Sequence, residues 1–420
     1  MLTVAYLANE YPSPVEPYVV KEISELSRRS LRVIPGSVRE SRAAGSEQAA
    51  EVVVEAFGVS VIARALLLAI RRWSRISSLI TRILFAGQES VPQRLKALAH
   101  TFLGACYAVQ LSGRDVDHIH VHHGYFGSWI GMTAARLLGI DFSMTLHGSD
   151  LLLHASYLDV KLANCRTCFT VSEYNRRYIL EHYPVIDPQK IVVTRLGVDV
   201  PEMISTVPQR AGKKTLTLVA VGRLHAVKDH AFLVRCCALL RDARIEIECF
   251  IAGDGPERHN LEYLIQNLGL EREVMLLGHV PRRQMASLYD RADVVVLTSH
   301  SEGIPLVLME AMARGRIVLA PAITGIPELV VTGKTGFLYR PGSVDDFVGQ
   351  LHAIHSLMRR DRSGKGRAGI LDWVRHGAYV QVRNNFHGKK NLDSFADQFL
   401  TRISPQTESI PDEDLVLQQI

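Results

Sequence analysis

Short apolar runs recur along the whole of this sequence. They include Leu2–Ala8, Phe142–Leu146, Cys168–Ser172, Ile191–Thr194, Leu216–Val221, Ile245–Ala252, Val274–Leu277, Ala292–Thr298, Ile317–Ala320 and Gly336–Tyr339. Each has the length of a strand and is short for a helix. Near-continuous apolar character is what strands buried on both faces require. Helical stretches such as Val19–Arg29 separate them, and the alternation predicts α/β architecture with parallel sheets. The polar, proline-bearing stretch 201–214 reads as a hinge. It separates a first domain over 1–200 from a second over 215–385. A chain of 420 residues has the length for two or three such cores.

The richest of the strand-end segments is Ser299–Gly315, SHSEGIPLVLMEAMARG. Ser301-Glu302-Gly303 reads as a turn, and Pro305 suits the first position of a helix. The apolar run from Leu306 to Ala313 reads as a mostly buried helix that stops near Gly315. A helix start facing a cleft offers unpaired N–H groups and partial positive charge, which suit a phosphate. Glu302 stands at that mouth. Glu310 lies two turns further on, roughly 12 Å away at 1.5 Å per residue. That span fits a nucleotide sugar, with hydroxyls at both ends and phosphates between. A surface turn followed by a capped core helix explains the same residues, and the segment alone leaves both readings open.

Other strand ends carry compatible chemistry. Gly222-Arg223-Leu224 follows the run at 216–221, and Lys228 opens the next helix. Arginine forks onto phosphate oxygens, and lysine sets a point charge beside them. Gly253-Asp254-Gly255-Pro256 reads first as a tight βα turn and only second as a ligand contact. Val280, in Gly278-His279-Val280, offers its backbone to a nucleobase. His147-Gly148-Ser149-Asp150 lies at the end of the run at 142–146, where open α/β sheets bind ligands. There His147 can donate to a sugar hydroxyl or a diphosphate, and Asp150 can accept from a hydroxyl.

Several function classes are set aside. The net charge is +5, with no compact Lys/Arg patch interleaved with aromatics, so nucleic acid is not expected. The cysteines, at 106, 165, 168, 236, 237 and 249, are scattered, which suits a reducing compartment. Cys165-x-x-Cys168 has no second pair and reads as a buried thiol pair rather than a zinc site. His118, His120 and His122 share one strand face in DHIHVHH. With no carboxylate or cysteine partner in view, they read as strand packing, and no metal is assigned. Residues 1–20 lack a basic start followed by an apolar core, so no signal peptide is expected. No uncharged apolar stretch reaches membrane-spanning length.

Residues 59–85 carry one apolar stripe: Ile62, Leu66, Ala69, Trp73, Ile76, Ile80 and Ile83. Arg64, Arg71, Arg75 and Arg82 fall opposite it, and the segment has no acid. This pattern fits a helix lying on an anionic membrane surface, and equally a helix packed on its own domain.

The chain resembles the family 4 retaining glycosyltransferases of GT-B fold, whose E-x7-E motif matches Glu302–Glu310. Val221-Gly222-Arg223-Leu224 with Lys228-Asp229, Gly253-Asp254-Gly255-Pro256, Gly278-His279-Val280, Gly325-Ile326-Pro327-Glu328 and Thr335-Gly336-Phe337-Leu338 agree in order. So do Leu146-His147-Gly148-Ser149-Asp150 and Leu196-Gly197-Val198-Asp199. The branch that looks most similar serves bacterial exopolysaccharide assembly of the colanic-acid type.

The resemblance implies two Rossmann-like domains facing a cleft. A last helix, over 386–403, is expected to return to the N-domain, and the acidic, polar composition of 404–420 predicts a disordered tail. It implies a UDP- or GDP-sugar donor, no cofactor and no metal requirement, a glycan or lipid-linked acceptor, and a cytoplasmic place with possible contact to the inner membrane. In this scheme Val280 holds the base, Glu310 the ribose, and Arg223 and Lys228 the diphosphate. Glu302 with the backbone of Gly303, Ile304, Pro305 and Leu306 holds the sugar and β-phosphate, flanked by Gly222 and Gly253. Glu302, His147, Arg223 and Lys228 are the expected catalytic set, with Glu16 and Asp150 on the acceptor side. The first loop lacks the family's Gly-Gly pair; only Glu16 and Tyr18 remain of the exopolysaccharide branch's pattern. A GT-B nucleotide-sugar epimerase and a non-catalytic sugar-nucleotide-binding assembly protein are the alternatives.

Overall fold

The computed structural model describes residues 1–13, 16–41, 49–153, 155–204, 215–362 and 369–404. Most of the expected hinge, the tail beyond 404, and residues 14–15, 42–48, 154 and 363–368 lie outside the described residues.

Two parallel sheets form the frame. The N-terminal sheet contains β1 (Thr3–Glu10), β2 (Arg32–Arg39), β3 (Val52–Val53), β4 (His118–His122), β5 (Asp141–Leu146), β6 (Thr167–Thr170) and β7 (Ile191–Val193). Their spatial order is β3-β2-β1-β4-β5-β6-β7. The second sheet contains β8 (Leu216–Val221), β9 (Ile247–Ala252), β10 (Val274–Gly278), β11 (Val294–Val296), β12 (Ile317–Pro321) and β13 (Phe337–Tyr339), ordered β10-β9-β8-β11-β12-β13. Every named pairing is parallel. In both sheets the winding reverses beside the first strand, at β1/β4 and at β8/β11. Loops leaving such neighbours diverge, so a crevice opens at their carboxyl ends. The α/β, two-domain GT-B expectation is met.

Strand β2 was not foreseen. Pro35 and Gly36 argue against a strand, and Ser37 opens a polar stretch. In the fold Gly36 passes so close to Tyr107 that a Cβ there would stand 2.9 Å from its hydroxyl. Ser37 is fully buried and accepts the Tyr11 N–H at 2.9 Å. Tertiary packing overrides local preference at these positions.

Residues 59–85 form two helices, Val59–Arg71 and Trp73–Phe85, rather than one. Arg72 breaks the run, and its guanidinium bonds the Leu137 carbonyl at the end of helix Phe126–Leu138. The single stripe divides accordingly. Ile76 and Ile83 are buried, while Leu66 and Trp73 are exposed. Arg75 bonds the Arg136 and Leu137 carbonyls, and Arg82 bonds Glu89 at 2.8 and 2.9 Å and Asp159 at 3.2 Å. Half of the expected basic face is therefore engaged within the protein. The next helix, Val91–Leu111, opens on a Ser90/Gln93 capping box.

Helix Ile370–Asn385 packs on the second sheet, with Leu371 and Val374 in its core. The chain then returns, and helix Gly388–Ile403 buries Phe395, Phe399 and Ile403 among Val4, Tyr6 and Phe169 of the first domain. Phe399 lies 5.7 Å from the Phe169 ring and 5.0 Å from His120. Arg29 pins the same helix through Asp393 and Asp397. Phe399→Ala is expected to cost about 3–5 kcal/mol of N-domain stability. Urea unfolding followed by tyrosine fluorescence reads that loss as a lowered midpoint at unchanged slope.

Candidate active site in the interdomain cleft

The second domain supplies one wall. At the end of β8, a 3-10 turn over Ala226–Lys228 carries the Lys228 amine to 2.5 Å from Glu302 Oε1. Neither side chain is left to find the other. Thr298 donates to the Lys228 carbonyl at 2.9 Å, and the His300 N–H donates to the Val227 carbonyl at 2.8 Å. Thr324 donates to the Glu302 carbonyl at 2.5 Å. The loops after β8 and β11 are thus bound to each other at the switch point. Arg223 is exposed beside them, and Gly222 is half-buried.

Pro305 is the residue before helix Leu306–Ala313, with extended ψ of 123°, and not its first helical residue. It still excludes an earlier helix start, and the N–H groups of Leu306 and Val307 have no acceptor within the helix. Ile304 and Pro305 are buried, while Glu302, Gly303 and Leu306 are half-buried. Glu310 accepts a 2.7 Å bond from the Tyr289 hydroxyl. Burial, then that carboxylate, pushes the Tyr289 phenol well above its ordinary pKa, so it stays a donor. Val280 follows β10 and is half-buried against the same core as Leu306. Gly253, at φ +142°, passes under the Gly222 carbonyl where any Cβ would collide with it. Its role is to let two backbones cross, in keeping with a structural turn.

The first domain supplies the facing wall. His147 follows the last residue of β5 and is half-buried. Its Nε2 stands 2.7 Å from His122 Nε2, and its carbonyl takes a bond from the Asn175 amide. Asp150 is fully buried. Its carboxylate accepts the N–H groups of Gly124 at 2.9 Å and His147 at 3.0 Å. Its oxygens are thus turned inward beneath the cleft, where the sequence placed Asp150 on the acceptor side as a partner for a hydroxyl. Glu16 bonds His123 Nε2 at 2.8 Å, and Asp150 Oδ2 stands 3.5 Å from His123 Nδ1. Burial lowers the pKa of His123, but bonding to Asp150 and Glu16 outweighs it and lifts the group to about 10. Burial raises Asp150, yet His123 brings it well below the usual carboxylate range. Burial, and then the charge on His123, holds His147 well below its ordinary value, so it is neutral.

The strand histidines separate by role. His118 and His120 bond Ser143 at 2.7 and 2.8 Å, and His120 also bonds Thr145 at 3.1 Å. They are core residues. His122 instead faces His147, and its Nδ1–H donates to the Tyr6 oxygen at 2.9 Å, since the single Tyr6 proton goes to Glu22. Cys165 and Cys168 are buried free thiols, as expected.

The walls meet at Gly148 and Gly303. A Cβ on Gly148 would lie 2.7 Å from the Gly303 nitrogen. Beside them Glu328 reaches across. Its carboxylate accepts the N–H groups of Glu173 at 3.1 Å and Tyr174 at 2.7 Å, at the start of helix Glu173–His182. Arg195 stands 3.6 Å from the same carboxylate. An anion on a helix start is favourable on both hydrogen-bond and dipole grounds. The sequence showed Pro327-Glu328 as a helix opening but gave no sign that its partner is another helix 155 residues away. Glu22, Tyr6 and His123 were missed for the same reason: their partners are distant in sequence.

Two family models match in succession. Glycosyltransferase Family 4 matches residues 15–202, and Glycosyl transferases group 1 matches residues 205–364. A putative colanic acid biosynthesis glycosyltransferase, WcaL of Salmonella typhimurium, is 35% identical over 157 residues, 36% of this chain and 38% of that protein. A D-inositol 3-phosphate glycosyltransferase of Streptomyces scabiei is 28% identical over 283 residues, 60% of this chain and 62% of that protein. The matched part is thus under two thirds of either relative. Among solved structures, Anabaena Alr3699/HepE in complex with UDP has a TM-score of 0.67 at 19% identity, covering 96% of this chain and all of that one. The lipopolysaccharide outer core galactosyltransferase WaaB has a TM-score of 0.66 at 18% identity, with the same coverage. At those identities the likeness is one of fold.

Glu328→Ala leaves two N–H groups of helix Glu173–His182 without their acceptor. Amide exchange at Glu173 and Tyr174 is expected to accelerate about tenfold or more, as follows from losing a charge-assisted bond. Exchange in β4 should not change; mass-spectrometric exchange resolves the two regions.

Proposed function

The chain belongs to the family 4 GT-B glycosyltransferases, and on that premise we propose that it moves a sugar, with retention, from a nucleoside-diphosphate sugar to a glycan or lipid-linked acceptor in bacterial surface-polysaccharide synthesis. The observation that carries this reading is the Lys228–Glu302 pair, held at 2.5 Å at the β8/β11 switch point opposite His147 and Gly148.

The nucleotide lies over the second domain, with its base at the Val280 backbone and its ribose on Glu310, which keeps an oxygen beyond the one Tyr289 occupies. The diphosphate meets Arg223, Lys228 and the helix start at Leu306. Gly222 and Gly253 set the backbone path beneath it. As the glycosidic bond breaks, positive charge develops at the anomeric carbon and negative charge on the leaving phosphate. Two cations and a helix start fixed beforehand stabilise that charge without reorganising. Lys228 then shares its protons between Glu302 and phosphate, while Glu302 and the Gly303–Leu306 backbone orient the sugar.

The acceptor enters from the first domain. His147 faces it, Asp150 and His123 hold His147 in place, and Glu16 holds His123. The acceptor hydroxyl attacks the face that the phosphate leaves, and the departing oxygen takes its proton. No protein nucleophile is assigned. The UDP held by the Anabaena relative makes a uridine donor the first to try.

This reading also seats the chain on the cytoplasmic face of the inner membrane. Leu66, Leu67, Ile70 and Trp73 are exposed together on and just after helix Val59–Arg71, with Arg64 and Arg71 exposed beside them. No acid lies within 59–85, which suits an anionic surface. No helix among the described residues is long and apolar enough to cross a membrane.

Two outcomes test the proposal. Arg223→Ala and Lys228→Ala should each lower kcat/KM by about 2–4 kcal/mol in transition-state terms, with the fold retained. A screen of UDP- and GDP-sugars for donor turnover with and without acceptor provides the assay. Wild-type rates in both variants exclude the donor assignment, and free sugar epimers without acceptor point to an epimerase. Cosedimentation with anionic liposomes should fall with rising salt and with Trp73→Ser or Arg64→Gln plus Arg71→Gln. Protein left in the supernatant at low salt means these helices only pack.

A further inference from the structure

His122, His123 and His147 stand together at the carboxyl ends of β4 and β5, next to the switch point of the N-terminal sheet. Each offers one ring nitrogen, and the three nitrogens lie within 4.8 Å of one another. From this cluster we infer that the first domain holds a transition-metal ion of the zinc class, ligated by His122 Nε2, His147 Nε2 and His123 Nδ1.

Three observations converge on it. His122 Nε2 and His147 Nε2 face each other at 2.7 Å, so one proton serves two nitrogens. The tetrahedral arrangement at a metal–nitrogen distance of about 2.0–2.1 Å needs those nitrogens roughly 3.3 Å apart. Those two rings need part only by about half an ångström, and His123 Nδ1, within 4.8 Å of both, has to close in. His123 Nδ1 is buried, and its nearest partner, Asp150 Oδ2, stands at 3.5 Å, too far for a well-formed hydrogen bond. A buried ring nitrogen with so loose a partner is costly, and coordination is one way to satisfy it.

The outer partners complete the argument. The far nitrogen of a ligating histidine is ordinarily held by a carboxylate or an equivalent acceptor, which fixes the ring and its tautomer. His122 has the Tyr6 hydroxyl on Nδ1 at 2.9 Å, backed by Glu22, whose Oε2 stands 3.3 Å from the same nitrogen. His123 has Glu16 on Nε2 at 2.8 Å. Glu16, Tyr6 and Glu22 come from β1 and the loop and helix after it, elements unrelated in sequence to β4. Of the strand trio His118-His120-His122, read from the sequence as packing, only His122 belongs to this cluster. Both nitrogens of His120 are occupied by Ser143 and Thr145.

The donor set specifies the ion class. Neutral imidazoles suit zinc, cobalt, nickel or copper and are poor ligands for magnesium or manganese. The site is therefore distinct from any metal on a diphosphate. His147 is the most exposed of the three ligands, so a fourth position opens on the cleft side, as three-ligand sites with an exchangeable position require. Binding displaces the protons that the rings carry in the metal-free protein. The inference does not depend on the glycosyl-transfer reading.

Cobalt titration of the full chain, purified without a histidine tag and dialysed against chelator, is the test. The expected result is one tight equivalent of Co2+ with the intense visible bands of four-coordinate cobalt, displaced by Zn2+. His122→Gln and His123→Gln should abolish those bands. Glu16→Gln, which touches only the outer nitrogen of His123, should weaken Co2+ binding about tenfold. Near-ultraviolet circular dichroism of the metal-free variants separates lost ligands from lost fold. Weak octahedral bands alone, no uptake, or uptake that survives in the folded His122→Gln/His123→Gln double variant overturns the inference.

Discussion

At Gly148 and Gly303 the two domains come together backbone to backbone, with no room for a side chain on Gly148 and little on Gly303, where a Cβ would stand 3.2 Å from a Val171 methyl. Much else in the molecule serves that approach. It brings the carboxyl ends of two independently wound sheets onto one cleft. It requires a turn after β5 and a turn after β11 that both lack a Cβ at the same point. It also needs something to hold the domains at that spacing. Glu328 does so from one side by occupying the start of an N-domain helix, while the returning helix Gly388–Ile403 does so from behind. The Lys228–Glu302 pair, His147 and the start of helix Leu306–Ala313 acquire a common ligand space only because this contact sets the distance between their walls.

The parts legible in the sequence are those set by local periodicity. Buried parallel strands announce themselves as apolar runs, and the turns after them carry Gly, Ser, His and Asp because backbone must bend and approach closely there. Hence β1, β5, β8, β9, β11 and β12, the helix after Pro305 and the identity of Lys228 and Glu302 could be read directly. Strand β2 could not, because Pro35 and Gly36 are tolerated there for the sake of Tyr107. The stripe at 59–85 was real, but Arg72 turns half of it outward, and only the Leu137 carbonyl, contributed by another helix, gives a reason for the break. Asp150 reads as a partner for a ligand hydroxyl because it follows the end of a strand, where open α/β sheets bind ligands. Gly124 and His147 take its oxygens inward.

The first domain places much more polarity in its interior than its apolar strands suggest. Tyr6, Glu22, His122, His123, His147, Asp150 and Glu16 form one connected network beneath the N-domain wall of the cleft. Buried groups of this kind are tolerable only when almost all their donors and acceptors are met. A network so connected has few alternative arrangements, so it orients His147 more firmly than a loop resting on an apolar core would. The second domain shows the contrast: its ligand-facing groups sit on short turns over an apolar core and carry their charge near the surface.

The returning helix has a consequence for the order in which the molecule is made. The N-domain core contains Phe395, Phe399 and Ile403, which leave the ribosome after every strand of both sheets. Domains generally fold as units while synthesis continues, the first domain first. Here the first domain emerges with the apolar ground around Tyr6 and Phe169 uncovered and keeps it so until the second domain has been translated. During that interval the nascent chain presents a hydrophobic face of the kind that chaperones recognise. Completion of the first domain and attachment of the second are thereby the same late event, so a chain stalled within the second domain carries an unfinished first one.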